Sequence, residues 1–206
     1  MSSPSFPVLL SAFADEAANR KTALEQMTAL AAAGLSYYSP RFIDVHGNGE
    51  VGHVVDLSDE DLAVLKDYHS EYAVSVTSIG SRVGKVKLKD VDDGTGNKFV
   101  PFDEYLDTEV ASTIRVAKSL GTKLIRGFSF YHPKGTTPRD HIDEAVEQLN
   151  RIVDLCEADG LVYGLEIEPN LIGETGELLA ELGRRVGRDH LVLIFDGGNV
   201  AAQNKN

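Results

Sequence analysis

The chain has 206 residues, with 20 Lys and Arg against 32 Asp and Glu, a formal charge of −12, and 42% hydrophobic residues. That composition sits at the globular norm, so a core can form without disulfide or metal staples, and disordered and collagen-like classes are excluded. The acidic balance disfavours nucleic acid as a partner, because a DNA binder draws most of its affinity from Lys and Arg that displace counterions along phosphates. No apolar run approaches the roughly 18 residues of a membrane span. The opening MSSPSFPVLL lacks a charged segment followed by a long apolar one, so a cytoplasmic address is expected. Cys156 is the single cysteine, which excludes an internal disulfide and a thiolate-based zinc site and leaves the thiol a packing role.

In chain order, an opening strand is predicted over residues 8–13. Residues 22–33 carry Leu24, Met27 and Leu30 on one helical face and stop at Gly34, where a left-handed C-cap suits glycine; a strand over 35–38 follows. Ser58 is placed to cap a helix over 59–70, and 73–79 reads as the next strand. Residues 80–101, rich in Gly, Lys and Asp, form the main irregular stretch and are expected to be a mobile strand-to-helix loop. The unit of amphipathic helix, glycine and apolar strand then recurs as 103–120, Gly121 and 123–130, as 140–159, Gly160 and 161–167, and as 174–186, Gly187 and 191–195. The polar tail after Phe195 is too short for another helix and strand.

Six strands, each apolar at nearly every position and each separated by a helix, form the pattern of a parallel sheet covered on both faces. An open doubly wound sheet and a (β/α)₈ barrel both fit, although six units leave a barrel unclosed and barrels usually run to about 250 residues. Two familiar-looking loops fail on inspection. Gly94-Thr95-Gly96 follows a charged loop instead of a strand. Gly80-Ser81-Arg82-Val83-Gly84-Lys85 has too few residues between its glycines for a phosphate loop and Val86 in place of Ser or Thr. What remains there is a flexible backbone and one cation, Lys85, after a strand, suited to an anionic or hydroxylated ligand. The six histidines form no close-spaced pair on one helix face, but His132 lies just past a strand end, where parallel α/β proteins place ligands.

The strongest chemical signal is carboxylate. In Leu161-Val162-Tyr163-Gly164-Leu165-Glu166-Ile167-Glu168, alternation puts Glu166 and Glu168 on one face near a strand end, and the next strand runs directly into Asp196-Gly197-Gly198-Asn199. Like charges about 4 Å apart at an effective dielectric of 20 repel by roughly 4 kcal/mol, so a cation between them is expected. Hard oxygen ligands favour Mn, Mg or a similar divalent ion. Helix capping or solvation at a strand end is the other role open to these acids, and Arg126 has either substrate contact or pairing with an acid open to it.

These segments, LEIEPN with GETGELL and then LVLIFDGGN, together with SAFADE at the first strand, SIGSRVGK after the third and KLIRGFSFY at the fourth, resemble in order the xylose-isomerase-like TIM barrels of sugar phosphate isomerases and epimerases. The resemblance covers nearly the whole chain. It implies a parallel (β/α) barrel of the TIM type, incomplete at about six of eight units, with residues 1–206 a single, C-terminally truncated domain. It implies Glu166 as catalytic acid/base and metal ligand and Asp196 as second ligand, with a divalent ion as cofactor and a sugar or sugar phosphate as substrate; beside these, Lys85, Arg126, His132 and Glu168 are candidate substrate contacts by their places near strand ends, and Asn199 is placed to orient Asp196 or a substrate hydroxyl. The family's seventh-strand His and eighth-strand Glu have no counterpart here. The alternatives are a non-catalytic barrel folded with a partner, since unpaired edge strands favour self-association into a homo-oligomer, and the metal-dependent abasic-site endonuclease branch of the fold, which the charge disfavours.

Overall fold

The computed structural model describes residues 8–203, and the chain divides into two compact units, Met1–Ile79 and Gly80–Asn206. The first opens with a short 3-10 turn, Ala14–Glu16, followed by α1 (Ala23–Ala33), β1 (Tyr37–Tyr38), β2 (Phe42–Ile43), β3 (Gly52–His53), a second 3-10 turn, α2 (Asp59–Tyr72), β4 (Ser75–Val76) and β5 (Ser78–Gly80). The second contains α3 (Phe102–Tyr105), continued through a π segment, Leu106–Val110, into α4 (Ala111–Ser119), then β6 (Leu124–Gly127), α5 (Ile142–Ala158), β7 (Val162–Glu166), α6 (Gly176–Val186), β8 (Leu191–Ile194) and α7 (Gly197–Gln203). This is the α/β architecture with parallel strands expected of a TIM-type barrel.

Local chemistry sets the ends of the helices. Thr22 caps α1 by accepting from Glu25 N, and α1 stops at Gly34, whose φ of 69° is left-handed. Ser58 and Asp61 form a reciprocal capping box at the start of α2. In the first unit β1 pairs with β4 in parallel, and the core gathers Ala14, Met27, Leu30, Tyr38 and Val74. Tyr38 and His69 are buried together, Oη to Nε2 at 2.6 Å.

The structure departs from the sequence reading at several points. Residues 8–13 make one parallel bridge, Ala12 to Tyr38, instead of a full strand, and Val8, Leu9 and Leu10 are exposed, so their apolar side chains have no sheet face to pack on. The antiparallel pair β2–β3 was not anticipated, because two-residue strands carry no periodicity. The tail after Phe195 does form a helix, the short α7, although no strand follows it among the described residues.

In the second unit β6, β7 and β8 lie side by side in that order, with Leu124 to Gly127 in parallel register with Val162 to Leu165, and Tyr163 to Glu166 with Leu191 to Ile194. The expected loop over 80–101 does not hang free. Ser81, Val83, Val86 and Leu88 are buried, and the chain here bonds to the segment after β6 through Phe128 N to Val83 O, Phe130 N to Gly84 O and Tyr131 N to Val86 O, each between 2.8 and 3.0 Å. Alternating apolar residues among its charges supply that anchorage. Tyr163 locks the same region: its hydroxyl accepts from Phe128 N at 2.8 Å and lies 2.9 and 3.1 Å from the carbonyl oxygens of Phe128 and Val83.

Candidate functional site

Parallel register decides which side chains meet. Leu193 of β8 packs against Gly183 of α6, and its partner in register is Leu165, so this face of the sheet looks toward the helices. Glu166 lies on the opposite face with Ile194, and Arg126 joins it there because its register partner is Gly164, two residues before Glu166. Arg126 consequently reaches across one strand and grips Glu166 with both arms, Nε to Oε2 at 2.5 Å and Nη2 to Oε1 at 2.6 Å. The side chains are 12% and 5% exposed, so this is a buried, bidentate charge pair.

A second pair lies beside it. Lys85 Nζ donates to Glu168 Oε1 at 2.8 Å, and Asn199 Nδ2 donates to Glu168 Oε2 and to Ile167 O, both at 3.0 Å. The buried ring of Phe128 joins the two pairs: Lys85 Nζ and Arg126 Cζ each sit 4.2 Å from its centroid, within cation–π range. Ser81 Oγ donates to Arg126 O at 2.6 Å and ties the segment after β5 to β6. Tyr131 lies at the border of this cluster; burial first, then the negative charges of Glu168 and Asp93, push its phenol above the ordinary tyrosine range.

Of the residues singled out in the sequence, the structure brings together Lys85, Arg126, Glu166, Glu168 and Asn199. Arg126 takes the role of pairing with an acid. Asn199 orients Glu168 through its side chain, and only its backbone N reaches Asp196. Asp196 caps α7: its Oδ1 accepts from Gly198 N at 2.7 Å and Asn199 N at 3.0 Å. The bonds of His132 stay within its own loop, Nδ1 facing Pro133 O and Thr136 Oγ1. Phe128 and Tyr131 were missed, although the aromatic run FSFY directly after a strand was a readable sign of a contact surface at that sheet end. A cavity of about 410 Å³ between α4 and α5, lined by Ile114, Lys118, Leu155 and Asp159 among others, is separate from this cluster and mostly apolar, which suits a hydroxylated ligand poorly.

The expected divalent ion needs free carboxylate lone pairs that converge. Both oxygens of Glu166 and both of Glu168 are engaged by side-chain donors, and one oxygen of Asp196 is spent on backbone N–H groups. Among the described residues no group of three or more His, Cys, Asp or Glu is placed to hold a metal. The donor set present therefore does not fit such an ion.

Comparison with solved structures shows the same fold in several proteins. A xylose isomerase-like TIM barrel protein from Mycobacterium smegmatis in complex with magnesium is 16% identical with a TM-score of 0.63, over 93% of this chain and 65% of its own. The IOLI protein with a bound zinc atom is 20% identical with a TM-score of 0.66, over 95% and 66%. A D-allulose 3-epimerase from Methylomonas sp. in complex with D-allulose is 19% identical with a TM-score of 0.64, over 96% and 66%. The chain thus spans less than two thirds of each of these chains, and at such identities the likeness speaks for the fold. No curated protein matches the sequence. The family model for the xylose isomerase-like TIM barrel matches residues 27–206. Parallel strands, the polar cluster at their ends and that match agree, and the chain belongs to the xylose isomerase-like TIM barrel family.

Proposed function

We propose that this chain serves an isomerase or epimerase acting on a small ketose or aldose. The observation that carries the reading is the polar cluster on Phe128, where two acids, two cations and an amide gather at neighbouring parallel strand ends, the place where barrels of this type put their chemistry. The D-allulose complex of a protein with this fold points to the same substrate class.

In this reading a sugar carbonyl lies beside Lys85 and Arg126, whose charges favour negative charge developing on its oxygen. As Arg126 turns from Glu166 to that oxygen, the released Glu166 takes the proton from the adjacent carbon, the C–H electrons form the C=C bond of an enediolate, and the carbonyl π electrons move onto oxygen. Protonation of that carbon from its other face, by a water, re-forms the carbonyl and gives an epimer; protonation of the former carbonyl carbon by Glu166, with the neighbouring hydroxyl proton passing to the former carbonyl oxygen, gives an isomer. Glu168, fixed by Lys85 and Asn199, is suited to accept from a sugar hydroxyl. His132 would join only by leaving its present loop contacts. Because the donor set does not fit a metal ion, no step is assigned to one.

Incubating the protein with a panel of ketohexoses and their phosphates in deuterium oxide, with NMR detection, tests this. Deuterium is expected at the carbon next to the carbonyl and is lost in Glu166→Gln. Absence of exchange across the panel, or full exchange in that variant, rules the reading out.

A further inference from the structure

We infer that Arg126 is the resident cation of this site and occupies the lone pairs of Glu166 that a divalent ion would need, so that the chain as it stands holds no such ion on Glu166. The guanidinium uses two parallel bonds on the two carboxylate oxygens, the geometry in which Arg pairs most strongly. It is itself fixed: its Cζ packs 4.2 Å from the Phe128 centroid, and its backbone carbonyl accepts from Ser81. An entering ion would have to strip this carboxylate from a guanidinium that is 12% exposed and break a buried bidentate charge pair. The neighbouring acids offer no replacement, since Glu168 is held at both oxygens by Lys85 and Asn199 and Asp196 caps α7. The strand-end repulsion that suggests an intervening cation is thus answered by a side chain. This holds whether or not the chain turns over a sugar, and binding alone tests it.

The experiment titrates the full chain with Mn²⁺, following free ion by electron paramagnetic resonance, with circular dichroism to confirm folding. Wild type and Glu166→Gln are expected to retain Mn²⁺ equally weakly. Arg126→Met frees both oxygens and is expected to retain measurably more Mn²⁺ than wild type, a gain that disappears when Glu166→Gln is added. A saturable wild-type site that is lost in Glu166→Gln overturns the inference, as does a folded Arg126→Met with unchanged affinity. Where Arg126→Met does not fold, the comparison of wild type with Glu166→Gln decides: equal weak retention supports the inference, and a site lost in the variant defeats it.

Discussion

His69 is 9% exposed, and its Nε2 lies 2.6 Å from the hydroxyl of the fully buried Tyr38. Burial pushes its imidazole down to about 4 from 6.5. As pH falls, the unfolded chain takes up a proton near 6.5 while the folded chain does not, so this contribution to stability is complete above 6.5 and is lost progressively between 6.5 and about 4. The loss amounts to about 3 kcal/mol. Urea unfolding at pH 7 and pH 5 should show a steeper decline in wild type than in His69→Leu, and equal slopes would contradict the assignment. Cys156 is the converse case. Its thiol is fully buried and pushed up to about 12, by burial first and by the charge of Asp159 second. An aromatic disulfide reagent should leave it untouched in the folded protein and modify it at once in denaturant. The packing role of Cys156 was legible from its being the single cysteine, whereas the choice of Arg126 between substrate and acid was not, because it depends on which residue of β7 lies diagonally across the strand.

At the scale of elements, α2 and the stretch over residues 81–88 show how far local sequence reaches. The capping box of Ser58 and Asp61 involves residues three apart, so the start of α2 is written in the sequence itself. Ser58→Ala is expected to lower stability by about 1 kcal/mol, seen as a lower urea midpoint with an unchanged slope. The stretch over 80–101 reads as a loop for its Gly, Lys and Asp, yet the bonds of residues 83–88 to residues 128–131 make that part of it a piece of the packed second unit. Gly84 is the hinge of that packing. Its φ is 85°, and a Cβ there would lie 2.1 Å from Phe128 O. Gly84→Ala is therefore expected to cost about 3 kcal/mol or more, by strain in the backbone and displacement of the Phe128 segment. Thermal unfolding checks this, and a variant as stable as wild type would show that the segment yields freely. Nothing local to GSRVGK announces that contact, since its partner lies some forty residues away in sequence.

For the whole molecule, the charge of −12 makes a prediction independent of any one site. Retention on duplex DNA at low salt should be negligible, because the net negative charge opposes the phosphate backbone, and salt-sensitive retention would reopen the endonuclease branch of the fold. The alternation of helix and strand through α5, β7, α6 and β8, the C-cap of α1 and N-cap of α2, and acids at the ends of β7 and β8 were determined by the sequence alone, because propensity, amphipathic periodicity and capping act between residues only a few positions apart. Tertiary structure decided which of those acids are available. Parallel register set Arg126 against Glu166, the packing of Phe128 drew Lys85 to the same place, and α7 drew Asp196 into a cap. These outcomes depend on distances between residues remote in the chain, and such distances exist only once the strands have paired.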